Sequence, residues 1–232
     1  MRGATLIFVC LAWVAAEAAG QAGAQAQVSS EPPGAAATGG AQEVDGIAAR
    51  IEDDIVTESE VRELGAFQQL VDGQSKSRSE RIMELAGQWI VRGEARTAHY
   101  PEPSSEDVDR AWAQFAARFP SPGEFQKRRA EVDLSEAAVR RMLGRQLYLS
   151  RFLDFRFRPA AQVDQKQIEA YYDAELVPQL KAQGQAVPKI ETVEDTIREV
   201  LIQRAISERA TQWLDETRKR LKIDLVPEGD RP

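Results

Sequence analysis

The sequence predicts a mostly α-helical domain that is closed by a small β-sheet built from its two ends. Near the start, residues 46–51 alternate apolar and polar side chains, and an acidic turn at Glu52–Asp54 leads to a second short strand, Ile55–Thr57. Near the end, Leu221–Val226 alternates in the same way, as a strand with one buried face does. A two-stranded hairpin is only marginally stable alone, so we expect the terminal strand to complete the sheet.

The side chains of the terminal strand predict which core it covers. Leu221, Ile223 and Leu225 share one face. We expect all three to pack on the same core as the hairpin. Residues 57–220 then form a helical insertion that is held shut by the two ends of the domain.

Residues 1–24 predict a secretory signal peptide. Arg2 gives a short basic start, Ala4–Ala16 is apolar, and small residues that suit cleavage follow. The apolar run is too short to span a bilayer comfortably, although an uncleaved signal anchor remains the alternative. The single cysteine, Cys10, lies in this run. The mature chain is therefore expected to form no disulfide and to offer no thiolate for a metal or a nucleophile.

Composition divides the rest of the chain into a tether and one domain. Residues 25–42 consist mainly of Ala, Gly, Gln, Ser and Pro, and they predict a disordered tether because they have little apolar surface to bury. Residues 43–232 suit a single domain. The net charge of −7 is kept after cleavage, because Arg2 and Glu17 cancel. An acidic chain is a poor candidate for general nucleic-acid binding.

The first three helices are predicted by their start signals, apolar stripes and stops. Thr57 and Glu60 form a capping box before the first helix, Pro101 and Pro103 follow the second (about 79–98), and Ser105 starts the third. The apolar stripes are Val61, Leu64, Phe67 and Val71 in the first helix, Ile82, Leu85, Trp89 and Ile90 in the second, and Val108, Ala111, Trp112, Phe115 and Phe119 in the third.

Later helices follow the same logic. Ser121 and Pro122 begin a short helix to Ala130, and Ser135 caps a long one to about Phe157. A further helix is expected over 162–183 with an interruption near Pro178, and the final helix over 192–220. The apolar stripe of that final helix is Ile197, Val200, Leu201, Ala205, Trp213 and Leu214.

The order of these elements carries a family resemblance. In chain order, the segments are Ile47–Val61, Ser104–Asp109, Gly123–Phe125, Leu134–Arg140, Val163–Tyr172, and Trp213–Leu214 followed by Leu221–Ile223. Together they resemble the N-terminal domain of the SurA-like periplasmic chaperones and related parvulin-type foldases, over nearly all of residues 44–226. One departure is the turn, where the family usually has Asn and this chain has Glu52. The resemblance implies a helical chaperone domain in the periplasm.

The catalytic domain of that family has no counterpart in this sequence. SurA-like proteins carry parvulin prolyl-isomerase domains before the final helix, but only residues 181–190 stand there, and a domain needs roughly 50 residues. Parvulin sites also use two histidines, whereas this chain has one, His99, which is most simply a solvated or capping residue. We therefore expect no isomerase activity.

Other site chemistry is not favoured either. One histidine and no mature cysteine exclude a His/Cys metal site, and no Ser-His-Asp triad is evident. The acidic groups at Asp53–Asp54 and Glu191–Asp195 fit a turn and a helix start, where carboxylates satisfy free N–H groups. Basic residues between Lys127 and Arg158 favour ion pairs on a solvated face over nucleic acid or anionic lipid. No catalytic residue, cofactor or metal is expected.

Aromatic side chains in the second half of the chain supply the candidate binding site. The long helix ending near Phe157 is apolar on several sides, which indicates either burial all round or an exposed patch for partners. Core packing is the simpler interpretation for each residue singly. For the group, we expect a client-binding groove between the N-terminal helices and the last helix. Its candidate residues are Phe152, Phe155, Phe157, Tyr171 and Tyr172.

These observations predict an exported periplasmic holdase that binds unfolded or partly folded polypeptides, outer-membrane proteins among them. It would bind no nucleic acid and would not stay inserted in a membrane after cleavage. One alternative is a non-catalytic adaptor with a single folded partner, and the breadth of clients separates the two. A second alternative is a degenerate prolyl isomerase, for which no catalytic group is evident.

The catalytic prediction is tested with a proline-containing tetrapeptide. Because no parvulin domain is present, the purified protein should leave isomerisation at its uncatalysed timescale of roughly tens to hundreds of seconds. An acceleration that persists in His99→Ala would contradict the non-catalytic interpretation.

Overall fold

The structure is a computed structural model that describes residues 45–227. The signal peptide expected at 1–24, the tether expected at 25–42 and the last five residues of the chain lie outside the described residues. The described part is mostly helical and carries one small antiparallel sheet.

The sheet confirms the prediction that the two ends of the domain pair. Strands β1 (Ile47–Ile51), β2 (Asp54–Thr57) and β3 (Ile223–Leu225) lie in the order β2-β1-β3, and both pairs are antiparallel. Glu52 takes a left-handed conformation (φ 51°) in the turn between β1 and β2. Its N–H donates to the carbonyl of Lys222 at 3.0 Å, and its carboxylate accepts the N–H of Lys222 at 2.7 Å. The turn therefore also holds the start of the terminal strand.

The helices lie close to their predicted positions, and side-chain caps begin most of them. Thr57, Ser77, Ser104 and Asp164 each form a complete capping box, which satisfies N–H groups that have no partner inside the helix. The helices are α1 (Glu58–Asp72), α2 (Arg78–Thr97), α3 (Ser105–Ala116), α4 (Pro122–Glu131), α5 (Glu136–Phe157), a 3₁₀ turn (Arg158–Ala160), α6 (Gln165–Tyr171), a π turn (Tyr172–Leu176), α7 (Val177–Ala182) and α8 (Ile190–Arg218).

Two apolar clusters form most of the core. The first joins the inner face of the sheet to α1, α3, α4 and the first halves of α2 and α5. The second joins the later halves of α2 and α5 to the C-terminal part of α8. Because α2 and α5 pass through both clusters, they hold the N-terminal helices and the final helix together. None of the helices within residues 45–227 has the length and apolar character needed to cross a bilayer.

The prediction that Leu221, Ile223 and Leu225 cover one core is wrong. Ile223 packs on the first cluster and Leu221 on the second. Leu225 is 50% exposed, because it lies opposite the small Ala49 on an edge strand that packs chiefly against β1. The terminal segment therefore bridges the two clusters instead of covering one of them.

Removal of the terminal segment tests this bridging role. Deleting residues 221–232 takes away β3 and two half-buried aliphatic side chains, so the free energy of unfolding should fall by about 3 kcal/mol or more. Leu225→Ala is the matched control and should cost less than about 1 kcal/mol, since much of that side chain is already in water. Chemical denaturation measures both, and an unchanged stability of the truncated protein would contradict the role given to β3.

Candidate functional site

A π turn interrupts the helix that was expected over 162–183. The N–H of Val177 donates to the carbonyl of Tyr172, five residues back, where an α-helix would bond four residues back. Pro178 follows at once and has no N–H for Ala174, and its ring would crowd that carbonyl in a regular helix. The interruption predicted near Pro178 is therefore a widened turn, and the chain remains helical on both sides of it. Single π turns inside helices are frequent at functional sites.

An apolar groove lies between this widened segment and α8. Its volume is about 420 Å³, which falls within the range of ligand-binding clefts. Tyr171 and Pro188 contribute to its rim, the latter from the loop that joins α7 to α8. The remaining side chains are almost all aliphatic and include Leu176, Leu180, Val193, Thr196, Ile197 and Val200.

The α8 wall of the groove is fixed to the rest of the domain. Ile197 of α8 and Ile168 of α6 are both buried, and the two helices pack together. Arg158 donates to Asp154 at 2.8 Å and to Glu199 at 2.7 Å, so it joins the end of α5 to the middle of α8. This guanidinium also lowers the pKa of both carboxyl groups. The wall is held by packing on one side and by ion pairs on the other.

The opposite wall has much weaker support. No residue of the π turn or of α7 is buried, and α7 packs chiefly on the π turn before it. Two polar contacts restrain this wall. The hydroxyl of Tyr172 donates to the carbonyl of Pro188 at 2.7 Å, and Arg204 forms a two-point ion pair with Glu175, with both N–O distances at 2.7 Å. The groove thus has one rigid wall and one that is held mainly by side-chain contacts.

Arg204 also positions the aromatic side chain at the rim. Its guanidinium lies 4.8 Å from the centre of the Tyr171 ring, a favourable cation–π distance. Arg204 lowers the pKa of Glu175, and Glu175 in turn raises the pKa of Arg204, so both groups stay charged near neutral pH. Tyr171 is therefore held against α8 by a charged pair that spans from α8 to the π turn.

The five predicted aromatic residues fall into different places. Tyr171 lines the groove, and Tyr172 restrains its loop. Phe152 is 1% exposed in the second apolar cluster, so its assignment to a binding surface is corrected: it is a core residue. Phe155 is 61% exposed and lies 5.3 Å from the Tyr100 ring, and Phe157 packs 5.8 Å from Trp213.

The location expected for the groove also needs correction. It was expected between the N-terminal helices and the last helix, but the later halves of α2 and α5 fill that space with core side chains. The groove instead lies between the α6–π–α7 segment and α8. Leu176 and Leu180 were missed, because the π turn at Tyr172–Leu176 changes which side chains of this segment share a face.

Little else in the described residues suggests a site. Within residues 45–227, no three metal-ligating side chains come together. A cavity beside Arg145 and Met142 holds about 10 Å³, roughly the space of one water molecule. A scan of protein-family models gives no match to this chain, and a search of curated proteins gives none either.

The weaker wall of the groove is tested with Glu175→Gln, which keeps the side-chain size but loses the charged pair with Arg204. Backbone amides in residues 172–182 should then exchange with deuterium several-fold faster, because a charge-assisted contact of that wall is lost. Glu169→Gln, an exposed residue of α6, is the control and should leave the exchange unchanged. Equal exchange in both variants would show that the pair does not restrain the wall.

The same pair predicts a pH dependence. The pKa of Glu175 is lowered in the folded state, so the restraint is fully present above the ordinary value of 4.5 and is lost as the pH falls below it. Exchange in residues 172–182, after correction for the intrinsic rate, should therefore be constant between about pH 7 and pH 5 and should rise at lower pH. A rise that begins near neutral pH would rule out Glu175 as the titrating group.

Proposed function

We propose that this protein is a chaperone of the holdase type, which binds unfolded or partly folded polypeptides in the groove between the α6–π–α7 segment and α8. The observation that supports this most is the groove itself: it is open, almost wholly aliphatic, and bounded by one fixed and one weakly held wall. Such a site can bury apolar side chains of a ligand. It has few polar groups, so little in it would select one particular ligand.

Binding by such a groove follows from elementary energetics. Burial of apolar surface contributes about 25 cal/mol for each Å² that is removed from water. Burying a few client side chains in the groove therefore gives a modest affinity. Specific recognition would need polar groups that reject wrong partners, and an adaptable apolar surface instead tolerates many sequences. Weak binding of many sequences is what a holdase requires, because its clients must be released to fold.

The sequence resemblance supports the same proposal and extends it. The order of elements is similar to that of SurA-like chaperones, and the closed ends of the domain agree with that order. We therefore propose a periplasmic location, clients that include outer-membrane proteins, and no prolyl-isomerase activity. The single His99 has a left-handed backbone at the end of α2, with its N–H donating to the carbonyl of Arg96 at 3.0 Å. It thus has a structural role in ending that helix.

The proposal is tested by suppression of aggregation of a diluted, unfolded porin. Val200→Ser and Leu180→Ser place a hydroxyl on each wall of the groove and should lower suppression severalfold, because each removes apolar contact area. Ile55→Ser is the matched control: Ile55 is 49% exposed on the outward face of the sheet, so this variant should retain suppression. Thermal unfolding of all three should stay within about 5 °C of the parent protein.

The same assay separates the groove from other surfaces and other functions. Phe155→Ala tests the exposed aromatic pair that Phe155 forms with Tyr100. Full loss of suppression in this variant alone would show that clients bind at that pair and not in the groove. A soluble folded protein serves as the control client. Binding to one folded partner with no suppression for any unfolded chain would favour the adaptor alternative and would refute the holdase proposal.

A further inference from the structure

The free edge of β3 carries backbone groups that have no partner strand. In the described part of the chain, β1 is the sole neighbour of β3 in the sheet. The bonds from Glu52 N–H to the Lys222 carbonyl and from Val226 N–H to the Ala48 carbonyl are both 3.0 Å. Their register shows that residues 222, 224 and 226 turn their backbone groups toward β1.

The backbone groups of successive residues point to opposite sides of an antiparallel strand, so those of Ile223 and Leu225 point the other way. Ile223 and Leu225 lie opposite Ile51 and Ala49 as the non-hydrogen-bonded pairs, so their N–H and C=O groups point away from the sheet. This edge presents two donors and two acceptors in the geometry that an added strand would use. Leu225, which is 50% exposed, places an apolar side chain beside them.

The other edge of the sheet is less available. On β2, the N–H of Thr57 donates to the carboxylate of Glu60 at 3.0 Å as part of the α1 capping box. The chain enters α1 directly after Thr57, so the β2 edge ends in a helix start. At the β3 edge, Val226 and Pro227 follow the strand and lie outside it. The two edges therefore differ in how easily another strand could approach.

We infer that the β3 edge is a second polypeptide-binding surface, which takes an extended segment of a client by adding it to the sheet as a fourth strand. The ligand class follows from the chemistry of the edge, because main-chain donors and acceptors pair with the backbone of any extended chain whatever its sequence. The edge is short, and Lys222 and Pro227 flank it, as in edges that avoid permanent aggregation. Only Ile223 and Leu225 can then pair with residues of the client strand. Because each backbone hydrogen bond contributes only a modest net free energy, binding stays reversible.

This inference rests on the proposed function for the nature of the client, but it uses a surface outside the groove. The probe is a peptide of roughly ten residues that copies one porin strand, together with a twin that is N-methylated at alternate residues. N-methylation removes the backbone donors of one edge of the peptide and leaves its side chains in place. Amide exchange at Ile223 and Leu225 reports the sheet edge, and methyl NMR shifts at Leu180 and Val200 report the groove.

The unmethylated peptide should slow exchange of the Ile223 and Leu225 amides, whereas the twin should bind that edge about tenfold more weakly, as the loss of one or two hydrogen bonds predicts. Leu225→Pro removes one outward N–H and should weaken edge binding similarly, while Leu225→Ala keeps the N–H and serves as its control. If Leu225→Pro unfolds the protein, the comparison of the two peptides still decides the question.

The remaining outcomes separate the two proposals. Groove shifts without slower exchange at the edge would overturn the inference and leave the proposed function standing. Slower exchange at the edge without groove shifts would support the inference and refute the groove as the client site. Protection at Ile223 and Leu225 that rises with protein concentration in the absence of peptide would show pairing with a second copy of this chain and would overturn the inference.

Discussion

The antiparallel pairing of β1 with β3 is the constraint on which the rest of the domain depends. It joins Glu52 to Lys222 across 170 residues, so every helix within residues 45–227 lies inside one closed loop. Closing a loop of this length costs conformational entropy, and that cost must be offset by contacts formed when the ends meet. The backbone bonds around Glu52, together with the packing of Leu221 and Ile223 on separate apolar clusters, supply such contacts.

Helix α8 transmits that constraint to the groove. Its C-terminal part packs in the second apolar cluster and leads directly to β3, whereas its N-terminal half forms the fixed wall of the groove. Arg158 fastens the middle of the same helix to the end of α5. The stiffness of one wall therefore comes from the fold as a whole, and the freedom of the other comes from the absence of buried residues in the π turn and α7.

Local signals explain what could be predicted from the sequence. Caps such as Ser135, the prolines after α2 and the alternation at both ends act over a few residues, so the helices and the sheet were predictable. The groove was not, because the π turn before Pro178 shifts which side chains share a face. Phe152 and Phe155 show the same limit: they are three residues apart on one helix, and neighbouring helices alone decide that one is buried and the other exposed. The exposure of Leu225 likewise depends on what packs beyond β3.

Photocrosslinking tests most directly whether clients occupy the groove. A photoreactive side chain at Leu180, on the weakly held wall, should crosslink to an unfolded porin, and the same group at the exposed Ile55 should give little product. Unlabelled porin should compete for the crosslink at Leu180, as expected for a saturable site. Equal crosslinking at the two positions, or no competition at Leu180, would contradict a client site in the groove.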